Sequence, residues 1–519
     1  MWTRTLLLSA TSIFCIVMSW HYFSSNPHVT LINLTASQFG MPMIPYSSWH
    51  IGQQHHVTKK KRKLHGYFLH ITDMHIDEDY TQGTTVDSAC HELPKALAQK
   101  KKSRPPSILA DKYGTVGEQC DAPVILAQET LDWISKNWND KLDFVIWTGD
   151  NAKHDWDKKQ KRKRRDVYAL NQHVTDMVLD TFWNDKIPVI PSFGNNDVFP
   201  HNQIGGPDVD GDLLLFYERL WRPWMPADQR ALFRQGGYFI VEVAPGIHAM
   251  TLNSMYFYTK NEAVRNCLHP SSPAAQQMQW FEQQLKKARK SKQKIYVIGH
   301  VPPSPRDYKG TCLSEYLRIA TEYTDVVMGH FFAHMNIDHF LLFDGREPTN
   351  TKLVDNLTIT QEDDHAFHTT RNIEAYINWL RNMYKDIEPP HDDKRGFPGK
   401  SHSPLVVVQV SPSVLPVYNP SIRIYQYQLN ENDSHKLKPH GTLLGYQQYF
   451  ANLTKWNVPN TKGPLEYELE YSTQETYHME DLSAESYFQL AKAMVEPSKE
   501  GNQLWNMYCS HMLVKTQTF

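Results

Sequence analysis

Apolar residues in this chain fall into short β-rich runs that alternate with longer segments at helical spacing. Gly66-Tyr-Phe-Leu-His-Ile-Thr72 reads as a first strand. From Ala122 to Trp138, residues Val124, Ala127, Leu131, Ile134 and Trp138 recur as on one helix face, with Asp121 before Pro123 as a start signal. Leu142–Trp147 then reads as a short buried strand, Ala274–Lys290 as a helix and Lys294–Ile298 as a strand. Such alternation predicts a layered α/β domain rather than a sandwich of short strands alone. Residues 345–400 break the rhythm with an acidic stretch (Gln361–His365), an amphipathic helix near Arg371–Asp386 and a Pro/Gly-rich return, read as an insertion or partner surface. Leu405–Val410 and Ile422–Tyr427 resume the β pattern and should complete the sheet, and the tail after about residue 475 is helical in tendency.

The other long apolar stretch, Leu6–Phe23, carries no charge and is near the length of a bilayer span. Its exit, Trp20-His-Tyr-Phe23, lacks the small residues of a cleavage site, so it is expected to be an uncleaved signal anchor. Arg4 upstream favours a single-pass type II arrangement with the body in a lumen. The expected layout is a cytosolic tail (1–5), an anchor (6–23), a polar stalk (24–65), a catalytic domain (66–430) and a C-terminal extension packed on it (431–519). Sequons at Asn33, Asn356, Asn432 and Asn452 all follow the anchor and fit glycosylation in that lumen. Disulfides persist there too, and Cys90 with Cys120 and Cys267 with Cys312 are the expected pairs, each bracketing a loop region near a candidate ligand segment. Cys509 is left over.

A net charge of -2 says little about partners, because the charge is clustered. Basic runs stand at Lys59–Lys63, Lys100–Arg104 and Lys158–Arg165, the usual mark of solvated loops. Candidate chemistry lies in five segments that each follow an apolar run: Asp73-Met-His75, Gly149-Asp150-Asn-Ala-Lys-His154-Asp155, Gly194-Asn195-Asn196-Asp197, Gly299-His300 and Phe331-Phe-Ala-His334-Met-Asn336. Each alone is an ordinary turn or a lone polar residue. Together, in order and on strand exits, these oxygen and imidazole groups suit a pair of divalent ions. Asp150 is the expected bridge, since a carboxylate can join two ions and an imidazole nitrogen cannot.

The wording of the segments, TGDNAKHD, GNND, GHVPPS and FFAHMNIDHF, resembles the signature blocks of the calcineurin-like metallophosphoesterase superfamily, within it the branch of acid sphingomyelinases and fungal endopolyphosphatases, and most nearly the latter. The likeness continues through Ser411–Pro420 and Arg423, covering about residues 66–475. It implies a four-layer α/β/β/α sandwich and two divalent ions, with Mn, Mg, Zn, Co and Fe all open. One ion would be held by Asp73, His75, Asp150 and Asn336, the other by Asp150, Asn195, His300 and His334. His154 falls where the branch has a proton-donating histidine. Two departures stand out: Asn196 where the superfamily usually has His, and Asn336 where it usually has the second His of Gly-His-x-His, with His330 offering a shifted register.

The activity implied is hydrolysis of internal phosphoanhydride bonds of polyphosphate by a metal-activated hydroxide in an acidic, vacuole-like lumen. Asn196 is placed with the catalytic residues, because a phosphate leaving group needs less proton help than an alkoxide and His154 alone can supply it. Lys158, Lys159, Lys161, Arg162, Lys163, Arg164 and Arg165 are expected to hold the polyanion much as proteins hold nucleic-acid backbones, though no specific nucleic acid is expected. The run 161–165 is also a site for a basic-specific processing protease, and an oligomer is possible. A sphingomyelinase-like phosphodiesterase and a catalytically degenerate polyphosphate-binding protein are the alternatives.

Overall fold

The first expected strand forms as β1 (His65–Ile71), and its exit leads directly into the segment bearing Asp73 and His75. The computed structural model describes residues 64–94, 108–346, 370–390, 403–429 and 438–516. The expected anchor, nearly all of the stalk, Asn33, Asn356, Asn432, the runs 59–63 and 100–104 and the stretch 361–365 lie outside these residues. Among the described residues no helix is long and apolar enough to cross a membrane.

Along the chain follow β2 (Ile76–Asp77), β3 (Ala122–Pro123), α1 (Val124–Trp138), β4 (Phe144–Trp147), α2 (Arg164–Phe182), β5 (Val189–Pro191), α3 (Pro207–Leu220) and α4 (Arg230–Gly236). Then come β6 (Phe239–Ala244), β7 (Ile247–Thr251), α5 (Pro273–Lys290), β8 (Lys294–Ile298), α6 (Gly310–Glu322), β9 (Val327–Phe332) and β10 (His339–Asp344). The remainder is α7 (Thr370–Asp386), β11 (Leu405–Val410), β12 (Ser421–Gln428), β13 (Leu443–Phe450), β14 (Glu468–Ser472), α8 (Ala484–Val495) and α9 (Lys499–Met512).

The described strands build one sheet in the order β14-β13-β12-β1-β4-β5 and a second in the order β10-β11-β9-β8-β7-β6. Strands β1, β4 and β5 run parallel, as do β7, β8, β9 and β11, so the exits of β1, β4 and β5 share one edge and those of β8 and β9 another. Parallel strands buried on both faces read as continuous apolar runs, as Phe144–Trp147 and Lys294–Ile298 do. The two sheets meet through aromatic rings. Phe68 of β1 stacks on Phe144 at 4.7 Å within its own sheet and meets Phe331 at 5.4 Å and Tyr296 at 5.6 Å from the other. Outside the first sheet, Trp133 of α1 lies 5.3 Å from Tyr449; outside the second, Tyr487 of α8 lies 4.6 Å from Phe340.

Three expectations change. Asp121 does not cap α1, whose first turn follows Pro123 without a side-chain cap. Helix α7 has no open partner face on its described side: Tyr376, Ile377, Leu380, Met383 and Tyr384 are buried, and Tyr384 stacks on Phe340 at 4.6 Å. Beyond residue 430, β13 and β14 extend the first sheet. Cys90–Cys120 and Cys267–Cys312 are bridged as expected, and Cys509 is a buried thiol. Among the sequons, Asn452 is described, its Oδ1 accepting from Lys455 N at 3.2 Å to cap a short helical turn.

Candidate metal centre

The exits of β1 and β4 are laced together by the backbone, Asp73 N donating to Gly149 O at 2.9 Å and His75 N to Asp150 O at 3.0 Å. Gly149 has φ of 84° and Gly194 lies against Asp150; a Cβ on Gly149 would fall 2.4 Å from Gly194 N, and one on Gly194 would fall 2.0 Å from Asp150 Oδ1. Only glycine at both places lets the two loops nest this closely. Asp73, His75, Asp150, His334 and Asn336 all take left-handed φ, between 39° and 71°. Non-glycine residues rarely adopt that conformation, and here five of the seven expected ligands share it.

The side chains converge. Asp150 Oδ2 stands 3.3 Å from His75 Nε2 and 3.3 Å from His300 Nε2. His75 Nδ1 donates to Ala152 O at 3.1 Å and His300 Nδ1 to Thr148 O at 2.7 Å, which turns both Nε2 atoms toward the carboxylate. On the far side of His300, Asn195 Oδ1 lies 3.0 Å from His300 Nε2 and 2.8 Å from His334 Nδ1. Ligand atoms of Asp73, His75 and Asp150 lie within 4.8 Å of one another, as do those of Asp150, His300 and His334. The shifted register is thereby set aside: His330 lies within β9, its Nδ1 held by the Tyr316 hydroxyl at 2.7 Å.

Electrostatics follow from burial. Burial pulls His75 and His300 down, but the surrounding carboxylates together outweigh it, Asp150 with Asp73 for His75 and Asp150 with Asp73 and Asp197 for His300, and raise them to about 10 and about 9. Asp150 is driven the other way: burial raises it, but His300 and His75 outweigh that and hold it well below the usual carboxylate range. Burial and then His300 keep His334 well below the ordinary histidine value. A divalent cation fits this setting on a further observation. Asp73 Oδ1 and Asn336 Oδ1 are buried without a hydrogen-bond partner, although Thr72 Oγ1 serves the other Asp73 oxygen at 2.6 Å. Buried oxygens left without a hydrogen-bond partner beside imidazoles that can give up their protons are what a cation requires.

Supporting residues complete the centre. Asn196 gives Asp150 two bonds, N to Oδ1 at 2.8 Å and Nδ2 to Oδ2 at 3.0 Å, so it grips the expected bridge. Asp197 accepts from Asp150 N at 2.7 Å, Gly194 N at 2.8 Å and Asn151 N at 2.8 Å, stapling the β4 and β5 loops. His154 stacks between His75 and Trp156, 4.2 Å from each, with Nδ1 2.7 Å from Asp121 Oδ1. Burial, then His75, lowers the His154 pKa, while Asp121 opposes them. The Asp121 role went unread in the sequence, where its place after Cys120 and before a helix suggested a cap. Asp197 was visible in the GNND block without a role, and the local signal for His201, which lies 3.0 Å from Asn195, was only its place in the same loop.

The basic run divides in two. Arg162 is 6% exposed, and its Nη1 donates to Lys153 O at 2.7 Å and Asn196 O at 2.9 Å, so it props the centre from within. Lys158, Lys159, Lys161, Lys163, Arg164 and Arg165 are exposed, and α2 begins at Arg164, which puts the last two residues of the expected processing run in a helix. Lys153, Lys159, Lys161, Arg162, Lys163 and Arg165, with Glu78, Asp79 and Asp166, line a cleft of about 570 Å³. Lys158 and Arg164 lie outside its lining.

A model for the calcineurin-like phosphoesterase family matches residues 66–337, and one for the acid sphingomyelin phosphodiesterase C-terminal region matches residues 401–518. The chain is 33% identical to an endopolyphosphatase of Saccharomyces cerevisiae over 77% of its own length and 66% of the relative's. It is 34% identical to one of Cryptococcus neoformans over 78% of its length and 65% of the relative's, and 26% identical to one of Schizosaccharomyces pombe over 89% and 88%. It thus spans just under two thirds of the first two relatives. The family implies divalent metal ions, which the bare oxygens accommodate. Since the match at 66–337 takes in every expected ligand and more than half of the chain, the protein belongs to the calcineurin-like phosphoesterase family.

Proposed function

We propose that this protein is a metal-dependent endopolyphosphatase with a two-ion centre. The observation that carries the reading is Asp150 Oδ2 standing 3.3 Å from both His75 Nε2 and His300 Nε2, one carboxylate oxygen shared by two ligand groups. Asp73, His75, Asp150 and Asn336 would hold one ion, and Asp150, Asn195, His300 and His334 the other. When bound, two such ions supply Lewis-acid polarisation of a phosphoryl oxygen and a more acidic water. The two sheets with helices outside each are read as the four-layer sandwich of the family.

The chain's own residues do the rest. Asn196 and the loop amides keep Asp150 from rotating, so its oxygens stay aimed. His154 donates Nδ1–H to Asp121, which leaves Nε2 as the nitrogen that carries the exchangeable proton. Water oxygen adds to an internal phosphorus, the bridging P–O bond breaks, the departing phosphate oxygen takes the proton from His154 Nε2, and the proton shed by the water passes to solvent, from which His154 Nε2 is recharged. The cleft lining, six cationic residues against three carboxylates, would follow the chain outward from the centre. Lys153 is held by buried Asp77 at 2.8 Å, but outer pairs such as Lys161 with Asp155 at 3.4 Å are exposed, and a polyanion displaces such pairs at little cost. The anchor and sequons make an acidic vacuole-like lumen, with the chain tethered to its membrane, the setting of this reading.

The purified chain, incubated with long-chain polyphosphate with and without chelator, should shorten it without early release of single phosphates. Shortening that survives full metal removal, or release of single phosphates from the start, would overturn the proposal. The match to an acid sphingomyelin phosphodiesterase C-terminal region favours a second reading, a phosphodiesterase, and sphingomyelin in a parallel reaction decides between them.

A further inference from the structure

We infer that His201 is a positioning residue that fixes which atom of the Asn195 amide faces the metal centre, an inference that rests on the two-ion reading above. An asparagine amide presents an oxygen acceptor at one corner and an NH2 donor at the other, nearly equal in shape. Only the oxygen can ligate a cation; the opposite orientation would aim two hydrogens at it. Something must therefore hold the NH2 group away from the centre.

His201 is placed to do so. Asn195 Oδ1 points at the ligand side, 2.8 Å from His334 Nδ1 and 3.0 Å from His300 Nε2, while Asn195 Nδ2 lies 3.0 Å from His201 Nε2. For that contact to be a hydrogen bond, Nε2 must accept, so His201 carries its proton on Nδ1. The loop is closed to bring the ring back: Asn202 N donates to Asn195 O at 3.2 Å. His201 belongs to neither ligand group, so it acts on the ion only through the amide. Such supporting partners of metal ligands typically govern affinity over a range of roughly 10–100-fold.

Replacing His201 in the full chain separates this role from a merely structural one. His201→Gln keeps an acceptor for the amide, His201→Leu removes it, and His201→Lys offers only donors. Mn2+ is the probe, with binding followed by calorimetry and bound stoichiometry, beside the melting temperature of the metal-free protein. His201→Gln should bind two ions close to the parent affinity, whereas His201→Leu and His201→Lys should lose roughly 10–100-fold at one ion only. Equal binding by the Gln and Lys variants would overturn the inference while leaving the two-ion reading intact, and that pair decides the matter even if His201→Leu does not fold. A parent chain that binds none of Mn2+, Mg2+, Zn2+, Co2+ and Fe2+ would overturn both.

Discussion

Asn336 and Asp338 stand two residues apart in one loop, yet they belong to opposite kinds of buried polar cluster. Around Asp338 the charges close on themselves. Arg423 Nη2 and the Tyr471 hydroxyl each donate to one of its oxygens, Arg423 Nε donates to Gln448 Oε1 at 2.8 Å, and Gln448 Nε2 donates to Glu470 Oε2 at 2.7 Å. Burial pushes the Glu470 pKa well up, so this carboxyl keeps its proton and adds no second negative charge, and its Oε1 is the one oxygen of these groups left buried without a partner. Neither Asp338 nor Arg423 has a positive φ. The cluster that includes Asn336 closes only in part: Asp150 is held by Asn196, but Asp73 Oδ1 and Asn336 Oδ1 lack hydrogen-bond partners and five residues hold left-handed backbone. A cluster that satisfies itself fixes the fold, and one that does not marks where a ligand enters.

Asp150→Asn tests the unclosed cluster most severely. Bound metal should fall below two ions, and polyphosphate cleavage should drop by more than the roughly 10–100-fold of a supporting residue, with the metal-free fold retained. Metal analysis beside a gel-sizing assay reads both, and a variant that keeps two ions breaks the contrast. Arg423→Met does the reverse. It strands the Asp338 charge and should cost about 3–5 kcal/mol in urea unfolding, much of it recovered in the double variant with Asp338→Leu. A variant that loses metal but not stability would show the two clusters to be one.

A pH series sharpens the contrast further. His75 and His300, raised to about 10 and about 9 because the surrounding carboxylates together outweigh their burial, add stability to the metal-free protein below their unfolded value of about 6.5. That stability is lost as pH climbs through 9 to 10. Metal must displace those protons, so below about pH 9 apparent affinity should fall by about one log unit for each unit the pH is lowered, for each proton released. Calorimetry in two buffers of different ionisation enthalpy counts them. The smallest expected effect lies in the basic run. Lys161→Ala should raise KM for long chains a few-fold, and only at low salt. Arg162→Met should instead lower kcat by roughly 10–100-fold.

The candidate ligands were legible jointly, because metal chemistry admits few residue types and five such segments follow apolar runs in order. Asp73, His75, Asp150, Asn195, His300 and His334 each read alone as an ordinary turn or lone polar residue and stood out through their order and the family wording, and β8 and β11 appear at the residues where their patterns run. What escaped reading depends on distance along the chain. Asp121 meets His154 from 33 residues away and Asp197 meets Asp150 from 47, pairings that no local periodicity encodes. Arg162 was lost among like neighbours, since charge in a run says nothing about which member turns inward. The apolar face of α7 was visible as amphipathic, but not that Phe340 and α8 already cover it.

The left-handed residues give the cofactor a second task. Each such conformation costs on the order of 1–3 kcal/mol, so the centre carries tension that the rest of the packing must offset. A cation at a hundredfold excess over its dissociation constant returns about 2.7 kcal/mol to the folded state. If the centre takes its ions as proposed, withholding them should lower the melting temperature of the chain as well as its activity.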